Sequence, residues 1–121
     1  MLNETILIGY ISSEVNFTGK DDTMYCKFNI AVPRDYKLED GTRPADFIPC
    51  VAFGTTAEML YTHFIKGDKV CVKGRMESSK YEKDGKEHYS LALNIKKWYF
   101  EKTKPKNLSD YAAVFSKGSE E

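Results

Sequence analysis

Four aromatic residues lie where a small folded core has no evident use for them. Tyr36 sits between Asp35 and Lys37, and Tyr81 between Lys80 and Glu82. Phe47 and Phe53 share one face of an apolar segment whose other face, Ile48, Cys50 and Ala52, already supplies residues to bury. Aromatics make up 13% of the chain, enough to furnish a core and a surface set together. Exposed rings interleaved with Lys and Arg suit one chemistry well: unpaired bases stack on ring faces at about 1–3 kcal/mol each while cations follow the phosphates. A second reading puts Phe47 and Phe53 in the core and both tyrosines on an ordinary rim, because aromatics are common in barrel cores. The pattern alone supports both.

Catalysis has less to stand on. The chain holds no Ser, His and Asp arrangement at a local signature and no G-x-x-x-x-G-K-[ST] phosphate loop. Its acids are scattered through loops, usually beside a lysine, as in Glu82-Lys83-Asp84. Cys26, Cys50 and Cys71 are an odd count without C-x-x-C spacing, and each sits in an apolar stretch. A zinc site needs paired ligands and a disulfide scaffold needs an even count, so these thiols are expected to pack as small hydrophobes. They point to a reducing, cytoplasmic setting. His63 and His88 have no partner at motif spacing and are expected at the surface or rim. The expectation is a binding protein without enzyme activity, cofactor or metal.

The elements that must position the rings can be read from periodicity. Thr5-Ile6-Leu7-Ile8-Gly9-Tyr10-Ile11 is β-branched and aromatic, a first strand apolar on both faces, with Gly9 suggesting a bend or bulge. In the second, Met24, Cys26, Phe28, Ile30 and Val32 alternate with Tyr25, Lys27, Asn29 and Ala31 until Pro33. Arg34 to Pro44 is a polar loop or hairpin tip carrying Asp40-Gly41. Ala45 to Phe53 is the third strand, and Pro49 within it implies a bulge or an unpaired position.

A single helix follows. Thr55-Thr56-Ala57-Glu58 fits a capping box, Ala57, Leu60, Tyr61 and Phe64 keep helical spacing, and Lys66-Gly67 supplies a stop. Val70, Val72, Gly74 and Met76 form the core side of a fourth strand. Asp84-Gly85 is a strong hairpin turn into a fifth, which carries Tyr89, Leu91, Leu93 and Ile95 and runs on to Trp98 and Phe100. Five strands with one helix between the third and fourth is the order of the OB-fold, a small, partly open, all-β Greek-key barrel. Residues 1–104 are expected to form that domain. Residues 105–121 are expected to form a flexible or partly ordered tail, in which Tyr111 to Phe115 could dock as a short turn.

Composition bounds the partners. The 121 residues carry eighteen basic and eighteen acidic side chains, which excludes a uniformly basic nucleic-acid glue. The balance is uneven: residues 1–68 hold six Lys+Arg against ten Asp+Glu (−4), residues 69–106 eleven against five (+6). Local potential governs binding, so a basic half can hold a polyanion within a neutral total. No stretch approaches the roughly 18 apolar residues of a membrane span, and the start carries no secretory signal pattern.

The quoted segments together carry a resemblance. Asn3 to Ile11, Phe28-Asn29-Ile30-Ala31-Val32, Asp46 through Glu58, and Lys66-Gly67-Asp68-Lys69-Val70-Cys71-Val72-Lys73-Gly74-Arg75 resemble the bacterial and phage single-stranded DNA-binding protein family, in order and spacing over residues 3–100. The resemblance implies an OB-fold that binds and protects single-stranded DNA in replication, recombination or repair, assembled as a homotetramer. It places the stacking rings on Tyr36, Phe47, Phe53 and Tyr81, three of which are often Trp in the best-known members. Arg34, Lys37, Lys73, Arg75, Lys80, Lys83 and Lys86 are the cations attached to the path. Members that recruit replication and repair enzymes usually finish in an acidic tip closing in Pro-Phe, whereas this chain ends Ser116-Lys117-Gly118-Ser119-Glu120-Glu121. The alternative is a related primosome-type OB-fold protein that acts mainly by bridging protein partners.

Overall fold

The computed structural model describes residues 1–100. Six strands, β1 (Thr5–Ile11), β2 (Asn16–Thr18), β3 (Tyr25–Pro33), β4 (Ala45–Phe53), β5 (Lys69–Lys83) and β6 (Lys86–Phe100), surround one helix, α1 (Gly54–His63). They form one sheet in the order β1-β5-β6-β4-β3-β2, and β1 also pairs with β3. The sheet thus closes on itself as a barrel of five strands, with the helix between the third and fourth of them; β2 is an appended short edge. This is the OB-fold order.

Period-2 alternation decides what fills the barrel. Cys26, Phe28 and Ile30 of β3 point inward with Cys50 and Ala52 of β4, Val70 and Val72 of β5 and Leu93 and Ile95 of β6. Ala57, Leu60 and Phe64 close one end from α1 and its C-terminal edge. Two seams complete the ring with little material. β1 meets β3 only at Tyr10↔Ala31 and Ile11↔Ile30, and β4 meets β6, in parallel, only at Cys50↔Leu93 and Val51↔Asn94.

Several expectations change in detail. Gly9 makes no bulge: it pairs with Val70 in an unbroken register. Its lack of a side chain serves the closing seam, because a Cβ there would overlap the Ala31 carbonyl. The bulge lies instead at Lys73/Gly74 against β6. Pro49 makes no bulge either: it stays in register opposite Asn29, at a position without a ladder hydrogen bond. Opposite it, Asn29 turns its N–H to Ser13 Oγ (2.8 Å) and its carbonyl to the Ser12 N–H (2.9 Å), so the Asn29–Pro49 pair exchanges no ladder bond. Proline's missing donor costs nothing there.

The helix differs at both ends. No capping box forms at Thr55; β4 passes directly into α1, with Phe53 as the extended N-cap and no side-chain cap bond. Gly54 makes the corner at φ +62° and donates its N–H to the Met24 carbonyl (2.9 Å). At the other end α1 stops at His63, ahead of Lys66-Gly67. Phe64 turns extended there and buries its ring, stacked on Phe100 (5.2 Å) and edge-on to Trp98 (5.5 Å). Tyr61 leaves the core and stacks on Phe17 of β2 (5.0 Å).

The β5–β6 turn is as expected: Asp84 (φ 55°) and Gly85 (φ 75°) both take the left-handed conformation of a two-residue hairpin. Cys26 and Cys50 are buried free thiols and Cys71 is half-buried. The tail expected at residues 105–121, with its Tyr111 to Phe115 turn, lies outside the described residues.

Candidate nucleic-acid interface

The β3–β4 register builds a platform on the outside of the barrel. Because Cys26, Phe28 and Ile30 face in, Tyr25, Lys27, Asn29 and Ala31 face out, and they lie opposite Phe53, Val51, Pro49 and Phe47 respectively. This removes the ambiguity over the two phenylalanines, and differently for each. Phe53 is 53% exposed, touching Tyr25 at 6.2 Å between ring centroids. Phe47 is half-buried, packed on a small second cluster made by Tyr10 and Ala31. Lys27 Nζ stands 5.8 Å from the Tyr25 ring centre, adding a cation to the platform.

Tyr36 and Tyr81 flank this surface on two projections. Tyr36, about half exposed, lies on the 34–44 segment, which folds back on itself: Arg34 N–H donates to Pro44 O (2.8 Å) and Leu38 N–H to Thr42 O (2.7 Å). Tyr81, also about half exposed, lies on the β5–β6 hairpin opposite His88 and stacks on that imidazole (5.3 Å). A groove of about 840 Å³ joins platform and hairpin, lined by Lys27, Asn29, Val51 and Phe53 on one side and Ser79 and Leu91 on the other. Its walls carry the Phe53 ring, amides and hydroxyls, together with the Glu14 and Glu77 carboxylates and the Lys27 and Lys66 ammonium groups.

The cations divide into groups. Arg75, Asn94, Val51 and Lys27 form a row across four strands, because Arg75 pairs with Asn94, Asn94 with Val51 and Val51 with Lys27. Arg75 is therefore on the platform's far margin. Lys73 is not: it lies beside Ile6 of β1, with Arg75, Lys96 and Lys97 around a second, smaller groove of about 380 Å³. Lys80 precedes Tyr81 and alternates to the opposite face of the hairpin, toward Tyr89, while Lys83 and Lys86 face each other across the hairpin tip. Lys37 is exposed beside Tyr36.

Ion pairs already engage Arg34 with Asp46 (2.8 Å), Lys73 with Glu4 (2.7 Å), Arg75 with Glu77 (3.5 Å) and Lys80 with Glu87 (2.9 Å). The hydrogen bonds from Arg34 hold the Asp46 carboxyl below its ordinary range, and Glu4 raises Lys73. Such exposed pairs are worth little on their own and exchange readily with another anion. Tyr25 and Lys27 belong to this candidate platform without having been singled out from the sequence, although the alternation of β3 puts them on the face away from the core. Lys96 and Lys97 gave no signal beyond their charge.

Among the described residues there is no cluster of His, Cys, Asp or Glu that could hold a metal ion, and no helix long and apolar enough to cross a membrane. The single-strand binding protein family model matches residues 2–101. A single-stranded DNA-binding protein of Staphylococcus epidermidis is 32% identical over 107 residues, covering 88% of this chain and 82% of that one. One from Fusobacterium nucleatum is 39% identical over 89 residues, 70% of this chain and 57% of that one. In three dimensions the chain is similar to the small single-stranded DNA-binding protein of Streptomyces coelicolor, with a TM-score of 0.69, 18% identity, and 84% of this chain and 97% of that one covered. The last likeness shows the fold, and the match over residues 2–101 shows the lineage: this chain belongs to the single-strand binding protein family.

Proposed function

We propose that the chain binds single-stranded DNA with little sequence preference and keeps it from pairing during replication, recombination or repair. The observation that carries this is the outward ring set: Phe53 and Tyr25 paired on the platform, Phe47 along the same strand, Tyr36 and Tyr81 on the flanking projections. Every base offers a π-face, so ring stacking is indifferent to sequence, and it needs bases freed from a duplex. Lys27, Lys37, Lys83 and Lys86 are the cations nearest those rings along the chain and would follow the phosphates; Arg75, on the far margin, also lines the second groove, and Lys80 alternates to the other face of the hairpin from Tyr81. Lys73 belongs to the second groove and takes part only if the strand continues round the barrel. The relatives' names support this reading over a protein-bridging role.

A homotetramer is part of the same proposal. Ile8, Cys71 and Tyr99 form a row across β1, β5 and β6 on the outer surface, with Ile6 beside it, and Ile6, Ile8 and Tyr99 are each more than half exposed. An apolar strip of that kind is relieved by a second copy.

Titration with oligo-dT, oligo-dA and a duplex of equal length at two salt concentrations tests the central part. Both single strands should bind well and the duplex weakly, with log affinity falling by about 0.7 per contacted phosphate against log salt. Equal affinity for duplex and oligo-dT would refute it.

A further inference from the structure

Arg34 stands out among the cations because its guanidinium is used from both sides. Nε lies 3.3 Å from each carboxylate oxygen of Asp46, and Nη2 donates to Oδ1 at 2.8 Å. The remaining nitrogen, Nη1, donates to the Tyr36 hydroxyl oxygen at 3.1 Å. The backbone of Arg34 is fixed as well, its N–H given to Pro44 O (2.8 Å) and its carbonyl accepting from Arg43 Nη1 (3.2 Å). Asp46 belongs to β4, paired with Val32 and next in sequence to Phe47. The chain of contacts therefore runs from the sheet, through a planar fork, to a phenol on a projecting segment.

We infer that Arg34 is a positioning residue, which ties the Tyr36 ring to β4 through Asp46 and presents it pre-set to a base, and that it is not a phosphate ligand. The inference rests on the proposed single-stranded DNA binding and deepens it. A ring held before binding has less rotational freedom to lose on stacking, and that saving appears as affinity. The tie depends on chemistry particular to Tyr at this position, since a Phe or Trp ring has no hydroxyl for Nη1. It depends equally on Arg, because a lysine ammonium cannot span a carboxylate and a phenol in one plane.

Oligo-dT affinity and its salt slope, measured for Arg34→Lys, Tyr36→Phe, Asp46→Asn and the Arg34→Lys/Tyr36→Phe double variant, separate the two roles. A positioning role predicts that each single change weakens binding about 3–10-fold. It also predicts that the double variant is no weaker than Arg34→Lys alone and that the salt slope matches the unaltered protein throughout. Thermal melts should show all four folded, since the residues are exposed. Tyr36→Ala made in the Arg34→Lys background should weaken binding again, because the untied ring still stacks. The inference is overturned if Arg34→Lys binds as the unaltered protein does while Arg34→Ala lowers the slope by about 0.7, the signature of one lost phosphate contact. It is overturned equally if Tyr36→Phe is silent. Failure of the unaltered protein to bind oligo-dT would remove the functional proposal itself, which is a different result from normal binding with silent variants.

Discussion

Phe53→Ala is the substitution in which structure and function can be separated by magnitude. A fully buried Phe cut to Ala costs about 3–5 kcal/mol of fold stability. Phe53 is 53% exposed and packs beside the Tyr25 ring, so about half the side chain contributes to packing and the fold should lose about 1–2 kcal/mol. If a base stacks on the exposed half, binding should lose a further 1–3 kcal/mol, about 5- to 150-fold in Kd. Urea melts would read the first quantity, and oligo-dT titration at a concentration where the variant is fully folded would read the second. Phe53→Leu supplies the control, because it restores apolar bulk beside Tyr25 without a π-face. Stability should recover and affinity should not. Affinity recovering with Leu would refute stacking at this position, and a stability loss above about 3 kcal/mol would refute the outward placement of the ring.

The remaining predictions concern the frame. Gly9→Ala should destabilise the fold by about 1–3 kcal/mol in urea, because the new methyl meets the Ala31 backbone at a two-pair seam that cannot easily give. Iodoacetamide at pH 8 should leave Cys26 and Cys50 unlabelled in the native protein and reach both only after unfolding. Burial pushes the Cys26 thiol up to about 11 and Cys50 up to about 12, so the stability they contribute is full below the ordinary thiol pKa of 9.0 and declines as pH rises toward those values. The Asp46 carboxyl should titrate below its ordinary 3.8 by carbon NMR and move back up in Arg34→Ala. Its pairing with Arg34 is therefore complete above that pH and lost as pH falls through the lowered value.

What the sequence revealed depended on how local each feature was. The alternation of β3 was legible because one face fills the barrel with large apolar side chains while the other carries Tyr25, Lys27 and Asn29, and Asp84-Gly85 because the turn's backbone geometry is written in two adjacent residues. β4 read as apolar on both faces. The reason lies in three dimensions: Cys50 and Ala52 enter the barrel, Phe47 covers Tyr10 and Ala31 outside it, and Phe53 is left exposed. β2 escaped notice because three residues show no period. The capping box failed because β4 runs into α1 with no linker, so the corner fell to Gly54 and the threonines entered the first turn. The site was legible in its rings and not in its cations. Glu4 and Lys73 meet only because β1 pairs with β5, and Arg34 reaches Asp46 only because the segment between them folds back. A charge count can see neither.

Photocross-linking of an oligo-dT carrying 5-iodouracil, followed by peptide mapping, tests the central claim most directly, because the described surface exposes other rings away from the platform. The account predicts adducts on Phe53, Tyr36 and Tyr81. Adducts concentrated instead on Tyr61, Tyr99 or Phe100, each of them about half exposed, would contradict it.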